Sequence, residues 1–148
     1  MRISFWAAAI LITFQVPYSG AQGLHLRKPN RTKHGLRQGL WIGYADSSHT
    51  IIDWKGRFKK GNEKGVWKYY YSNGFVRKKE KYYARKIKTY NYYENGRVQS
   101  TGYAKIESDE EKLHYFYYGP WYYYSEEGKP TKIAYYEKGD IVKEEIIK

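Results

Sequence analysis

The sequence predicts an all-β protein: an elongated antiparallel meander of repeated β-hairpins in a single sheet, closed by a short C-terminal strand or cap. Three observations carry this. Rings dominate, with 19 Tyr, five Trp and five Phe in 148 residues, and a ring that covers a pleated surface while its hydroxyl stays wet suits a thin sheet. Trp67, Tyr69 and Tyr71 alternate with Val66, Lys68 and Tyr70, the period of a strand. Finally, Gly65-Val66-Trp67-Lys68-Tyr69-Tyr70-Tyr71-Ser72-Asn73-Gly74 returns as Gly119-Pro120-Trp121-Tyr122-Tyr123-Tyr124-Ser125-Glu126-Glu127-Gly128, with Trp seven residues before the turn glycine in both.

In chain order, residues 1–21 read as a secretory signal peptide. Arg2 supplies a positive start, Ile3 to Val16 is charge-free and mostly apolar, and Pro17 to Ala21 offers small residues, with Ser19 and Ala21 placed for cleavage after Ala21. The apolar run is shorter than the roughly 20 residues that span a bilayer. A secreted or periplasmic protein with no transmembrane segment after cleavage is expected. Residues 22–38 carry Lys, Arg and His without a usable period and read as a basic, extended lead-in.

Residues 39–139 hold about four hairpin units. The first is worn: Gly39-Leu40-Trp41-Ile42-Gly43-Tyr44 leads to a turn expected at Ser47-Ser48, and Thr50 to Phe58 returns. The second turns at Asn73-Gly74 and returns through Phe75 to Tyr83, both turn residues being suited to positive φ. The third has Thr89 where Trp is expected, turns at Asn95-Gly96 and returns to Tyr103. Behind it Ala104 to His114 forms an acidic insertion, read as a solvated loop. The fourth turns at Gly128 and returns through Lys129 to Tyr136. Residues 140–148 are a closing strand or a cap, which a repeat array needs because its last unit exposes a stacking face. Aligning the turns places Tyr44, Tyr70, Tyr92 and Tyr124 in one column and Trp41, Trp67, Thr89 and Trp121 in another.

The units around Gly65-Val66-Trp67 to Asn73-Gly74, and those ending at Gly96 and Gly128, resemble the MORN-repeat variant family. The resemblance covers roughly residues 39–139 and implies an elongated meander of hairpins, a role in protein contacts or lipid binding, and, for bacterial members, an antitoxin-like label. It carries over no catalytic residue.

The absence of cysteine removes disulfides, thiolate metal sites and a cysteine nucleophile. His25, His34, His49 and His114 lack metal-ligand spacing, so no metal is expected. Glycines sit singly at turns, without a phosphate-cradling loop. The run Glu107-Ser108-Asp109-Glu110-Glu111 reads as solvated rather than as an acid–base pair or a calcium loop. No catalytic residue and no cofactor follow.

What stands out is basic and aromatic interleaving, with 27 Lys and Arg against 15 Asp and Glu. Alternation sends Arg77, Lys79 and Lys81 to one face of a strand and Lys78 and Glu80 to the other. Candidate binding residues are Trp67, Tyr69, Tyr71, Trp121 and Tyr123, with Arg77, Lys79 and Lys81 as electrostatic partners; the competing reading of the same rings is packing between repeats. Export argues against nucleic acid, leaving a protein partner or an anionic envelope surface. The expected function is an exported, non-enzymatic binding or scaffold protein. The alternatives are an antitoxin or immunity protein masking a toxin, and a binder of anionic lipid or lipopolysaccharide.

Overall fold

The computed structural model describes residues 28–108 and 113–148; the leader expected over residues 1–21 lies outside them. Ten strands follow one another: β1 (Arg31–Lys33), β2 (Leu36–Tyr44), β3 (Ile52–Lys59), β4 (Asn62–Tyr70), β5 (Val76–Tyr82), β6 (Ile87–Tyr92), β7 (Val98–Ser108), β8 (Leu113–Tyr124), β9 (Pro130–Glu137) and β10 (Asp140–Ile146). They pair antiparallel in strict chain order as one open meander sheet. Among the described residues no helix is long and apolar enough to cross a membrane.

Two kinds of turn recur along the array. His34-Gly35, Lys60-Gly61 and Lys138-Gly139 have positive φ at both residues, the two-residue hairpin turn whose twist matches that of its strands. At Asn73-Gly74 the left-handed residue is Gly74 alone (φ 85°). Gly74 N donates to Tyr71 O at 2.9 Å and Tyr71 N to Phe75 O at 2.8 Å, a three-residue loop ending in a glycine bulge. Asn73 works through its side chain instead, accepting from Phe75 N at 3.1 Å. Gly96 and Gly128 repeat the backbone pattern.

The worn first unit turns over residues 45–51. Here His49 (φ 59°) takes the left-handed place, and the Asp46 carboxylate collects the Ser48 hydroxyl, the Thr50 hydroxyl and the backbone N–H groups of Thr50 and Ile51. These donors, the Ser48 hydroxyl foremost, hold its carboxyl well below the usual carboxylate range.

Three segments are more regular than their composition suggests. Part of the basic lead-in folds back as β1, with Arg31 opposite Gln38. Much of the acidic insertion is strand, since Lys105, Ile106 and Glu107 pair with Phe116, Tyr115 and His114; backbone pairing tolerates charged side chains at a solvated hairpin end. Residues 140–146 form the closing strand β10. Neighbouring units are tied at the turns: Tyr71 Oη donates to Tyr92 O at 2.9 Å, and Tyr93 Oη to Tyr124 O at 2.8 Å.

The fully buried side chains of the described residues, among them Phe58, Trp67, Glu80, Thr89, Trp121 and Ala134, share one face, called inner here. Register places Trp41 beside Gly56, Trp67 beside Glu80, Glu80 beside Thr89, Thr89 beside Gly102, and Trp121 beside Ala134. Three indoles lie flat on glycines of the preceding strand: a Cβ on Gly43, Gly56 or Gly102 would sit 2.1–2.3 Å from Trp54, Trp67 or Trp121. A single sheet buries these rings by laying them along its own surface, which requires a missing side chain beneath each.

Candidate functional site

On the inner face, the third unit departs from the ring-on-glycine pattern. A Trp at position 89 would lie over position 80, and that residue is Glu80 rather than glycine. Glu80 is 1% exposed and fully engaged. Its Oε1 accepts from Lys78 Nζ at 3.0 Å and Tyr115 Oη at 2.9 Å, and its Oε2 from Tyr69 Oη at 3.0 Å and Tyr82 Oη at 3.4 Å. The Tyr115 hydroxyl also lies 3.4 Å from Thr89 Oγ1, so it covers the place a tryptophan would fill.

Tyr115 sits on β8 and Glu80 on β5. In a flat sheet three strand spacings separate them by about 14 Å, beyond a tyrosine's reach. The sheet therefore coils toward its inner face, and the long β7–β8 hairpin leans over β5 and β6. Burial, followed by the nearby Glu80 charge, raises the phenols of Tyr69, Tyr82 and Tyr115 above their ordinary value. Four donors fill the lone pairs of Glu80 and the phenols hold their protons firmly, so this cluster is a clamp, with neither a free base nor a ready nucleophile.

The other, outer face has a different chemistry. Lys55 lies opposite Lys68, Lys68 opposite Lys79, and Lys79 opposite Tyr90. A second row sets Lys81 opposite Lys88 and Lys88 opposite Tyr103. Like charges directly across a sheet are destabilising, and among the described residues none of these five lysines has a carboxylate partner; Arg77 meets Asp53 at 3.7 Å. Four of the ammonium groups rest on rings instead: Lys79 is 4.5 Å from the Tyr90 centroid, Lys88 4.6 Å from Tyr103, Lys55 5.2 Å from Tyr70 and Lys81 5.3 Å from Tyr83. Burial lowers the Lys88 ammonium below its ordinary value.

The structure thus divides the candidate binding residues between two faces. Trp67 and Trp121 are 4% and 0% exposed and pack the inner face with Tyr69, bonded to Glu80, and Tyr123, whose hydroxyl lies 2.7 Å from that of Tyr136. Tyr71 is spent on the tie to Tyr92. Lys79 and Lys81, with Arg77, lie on the outer face, separated from those rings by the thickness of the sheet. The rings that do accompany them, Tyr70, Tyr90, Tyr103 and Tyr118, were missed in the sequence, although strict alternation from Lys68 to Tyr70 and from Lys88 to Tyr90 was the signal for two of them. Among the described residues no three His, Asp or Glu side chains gather as a metal site.

These features define a class: a single-sheet hairpin-repeat protein with a ring-packed inner face and a lysine–tyrosine outer face. No family model, curated protein or solved structure matches the chain.

Proposed function

We propose that the chain is a non-enzymatic binding module, exported as its N-terminal sequence suggests, that docks an anionic surface of the cell envelope through its outer face. One observation carries this reading: lysines stand opposite lysines on three adjacent strands without an interposed acid. That arrangement costs stability when the protein is alone and is relieved when anionic groups arrive. The tyrosines keep the ammonium groups partly desolvated, which strengthens each contact.

The test is co-sedimentation of the full chain with vesicles of phosphatidylcholine, with and without phosphatidylglycerol. A lysine near an anionic surface contributes about 1 kcal/mol, so Lys68→Gln/Lys79→Gln/Lys88→Gln should weaken association by about a hundredfold. Association should also fall steeply with added salt. Salt-insensitive association, or a triple variant that binds like the wild type, would refute the reading.

A further inference from the structure

A groove of about 700 Å³ opens where β1 to β4 meet, lined by Lys28, Arg31, Arg57, Lys59, Lys64 and Leu40. Five cations converge on it, and among the described residues none has a carboxylate partner. Register brings Leu40 opposite Arg57 and Arg57 opposite Lys64.

The groove is built by the fold. The side-chain amide of Asn30 bonds both backbone groups of Ile42, donating to Ile42 O at 3.0 Å and accepting from Ile42 N at 2.7 Å. It thereby fixes the segment 28–31 along β2. Trp41 Nε1 then donates to Arg31 O at 3.2 Å. Gly39, at φ 77°, leaves the hollow across which the Arg31 guanidinium lies, 3.7 Å from where a Cβ would stand. Gly65, at φ 73° with nothing within 4 Å of its Cβ position, keeps the opposite wall open. Gln38 spends its side-chain oxygen on Lys60 N at 2.7 Å, so the lining offers donors and positive charge.

We infer that this groove is a specific site for a phosphate-bearing ligand carrying several negative charges. Two guanidiniums present planar forks that match phosphate oxygens, and five cations exceed what a single carboxylate would satisfy. The volume is that of a small-molecule site, and Leu40 gives an apolar floor for the rest of such a molecule. The inference rests on the outer face being a binding surface and adds to it a localised subsite that discriminates phosphate from other anions. The source is either a soluble phosphorylated compound or a phosphorylated headgroup.

Calorimetric titration of the full chain with sodium tripolyphosphate, and with citrate as a carboxylate polyanion, tests this. Tripolyphosphate should bind saturably and more tightly than citrate. Arg31→Gln/Arg57→Gln should weaken it by about tenfold or more, since each guanidinium makes charge-assisted bonds. Arg31→Lys/Arg57→Lys, which preserves charge and fold, should recover part of the loss, whereas Lys129→Gln/Lys138→Gln, exposed at the far turns of the array and outside both the groove and the lysine rows, should leave binding within about twofold. In vesicles, a preference for phosphatidic acid over phosphatidylglycerol that disappears in Arg31→Gln/Arg57→Gln assigns the headgroup source; tripolyphosphate binding without that preference assigns the soluble one.

Equal affinity for citrate, or equal losses in the arginine and lysine variants, would overturn the groove while leaving the broader face standing. Loss of general vesicle binding alone, with arginine-dependent tripolyphosphate binding intact, would overturn the face and leave the groove.

Discussion

Replacing Gly102 by alanine places a methyl group 2.3 Å from the ring of Trp121, and that ring has nowhere to retreat. It is fully buried, stacked on Tyr117 with centroids 3.8 Å apart, and bonded through Nε1 to Tyr103 O at 3.0 Å. Forcing extra volume into a packed site costs about 1–3 kcal/mol. Swinging the indole away instead forfeits about 1 kcal/mol of hydrogen bond and a similar amount of ring stacking. Alanine recovers roughly 0.5–1 kcal/mol because glycine is a poor strand residue. Subtracting that recovery from a midpoint cost of about 2 kcal/mol leaves a net loss of about 1 kcal/mol. Urea unfolding followed by tryptophan fluorescence should show a lower midpoint with an unchanged slope. Gly65→Ala is the control: its Cβ position meets nothing within 4 Å, so its cost of about 1–2 kcal/mol is backbone strain alone, and native tryptophan emission should stay as in the wild type. A Gly102→Ala protein as stable as the wild type would refute the ring-on-glycine account of the inner face.

Further outcomes follow from the clamp and the ties between units. Glu80→Leu strands the Lys78 ammonium and three phenols and should cost about 3–5 kcal/mol. Glu80→Gln keeps an acceptor oxygen and should cost about 1.5–3 kcal/mol; calorimetric melting that ranks the two equally would contradict the hydrogen-bonding role. At alkaline pH, phenols raised in the folded state stay protonated after those of the unfolded chain ionise near pH 10. Their contribution is therefore complete below about pH 10 and declines above it, by up to about 1.4 kcal/mol per pH unit for each of Tyr69 and Tyr82. Denaturant midpoints that stay flat from pH 9 to 11, about the phenol range, would count against it, and Tyr69→Phe/Tyr82→Phe should flatten the decline. Tyr71→Phe and Tyr93→Phe each remove one tie between units and should lower stability by about 0.5–1.5 kcal/mol, with faster amide exchange at the backbone near Tyr92 and Tyr124 as the local check.

The array itself was legible in the sequence. Alternation of period two, turn glycines at 74, 96 and 128, and the Trp-to-glycine spacing are local signals, and they produced the hairpins in order. Local signals were even sufficient to separate Lys78 and Glu80 from Arg77, Lys79 and Lys81, because parity along one strand is fixed by the pleat.

What sequence by itself determined about this protein is therefore the order of the hairpin units, the turn glycines at 74, 96 and 128 and the parity within each strand. The tertiary structure alone decided how those parities combine. Register across β4 and β5 set Trp67 beside Glu80 and away from Lys79, dividing residues that a linear reading had joined in one surface. Coiling of the sheet brought Tyr115 to Glu80 across three strand spacings, which explains Thr89 as the residue left room by a buried carboxylate. Docking of Asn30 onto Ile42 carried Arg31 to Arg57 and Lys64. The physical reason is one of range: a side chain's face follows from its immediate neighbours, whereas curvature and inter-strand register follow from the summed twist and packing of many strands.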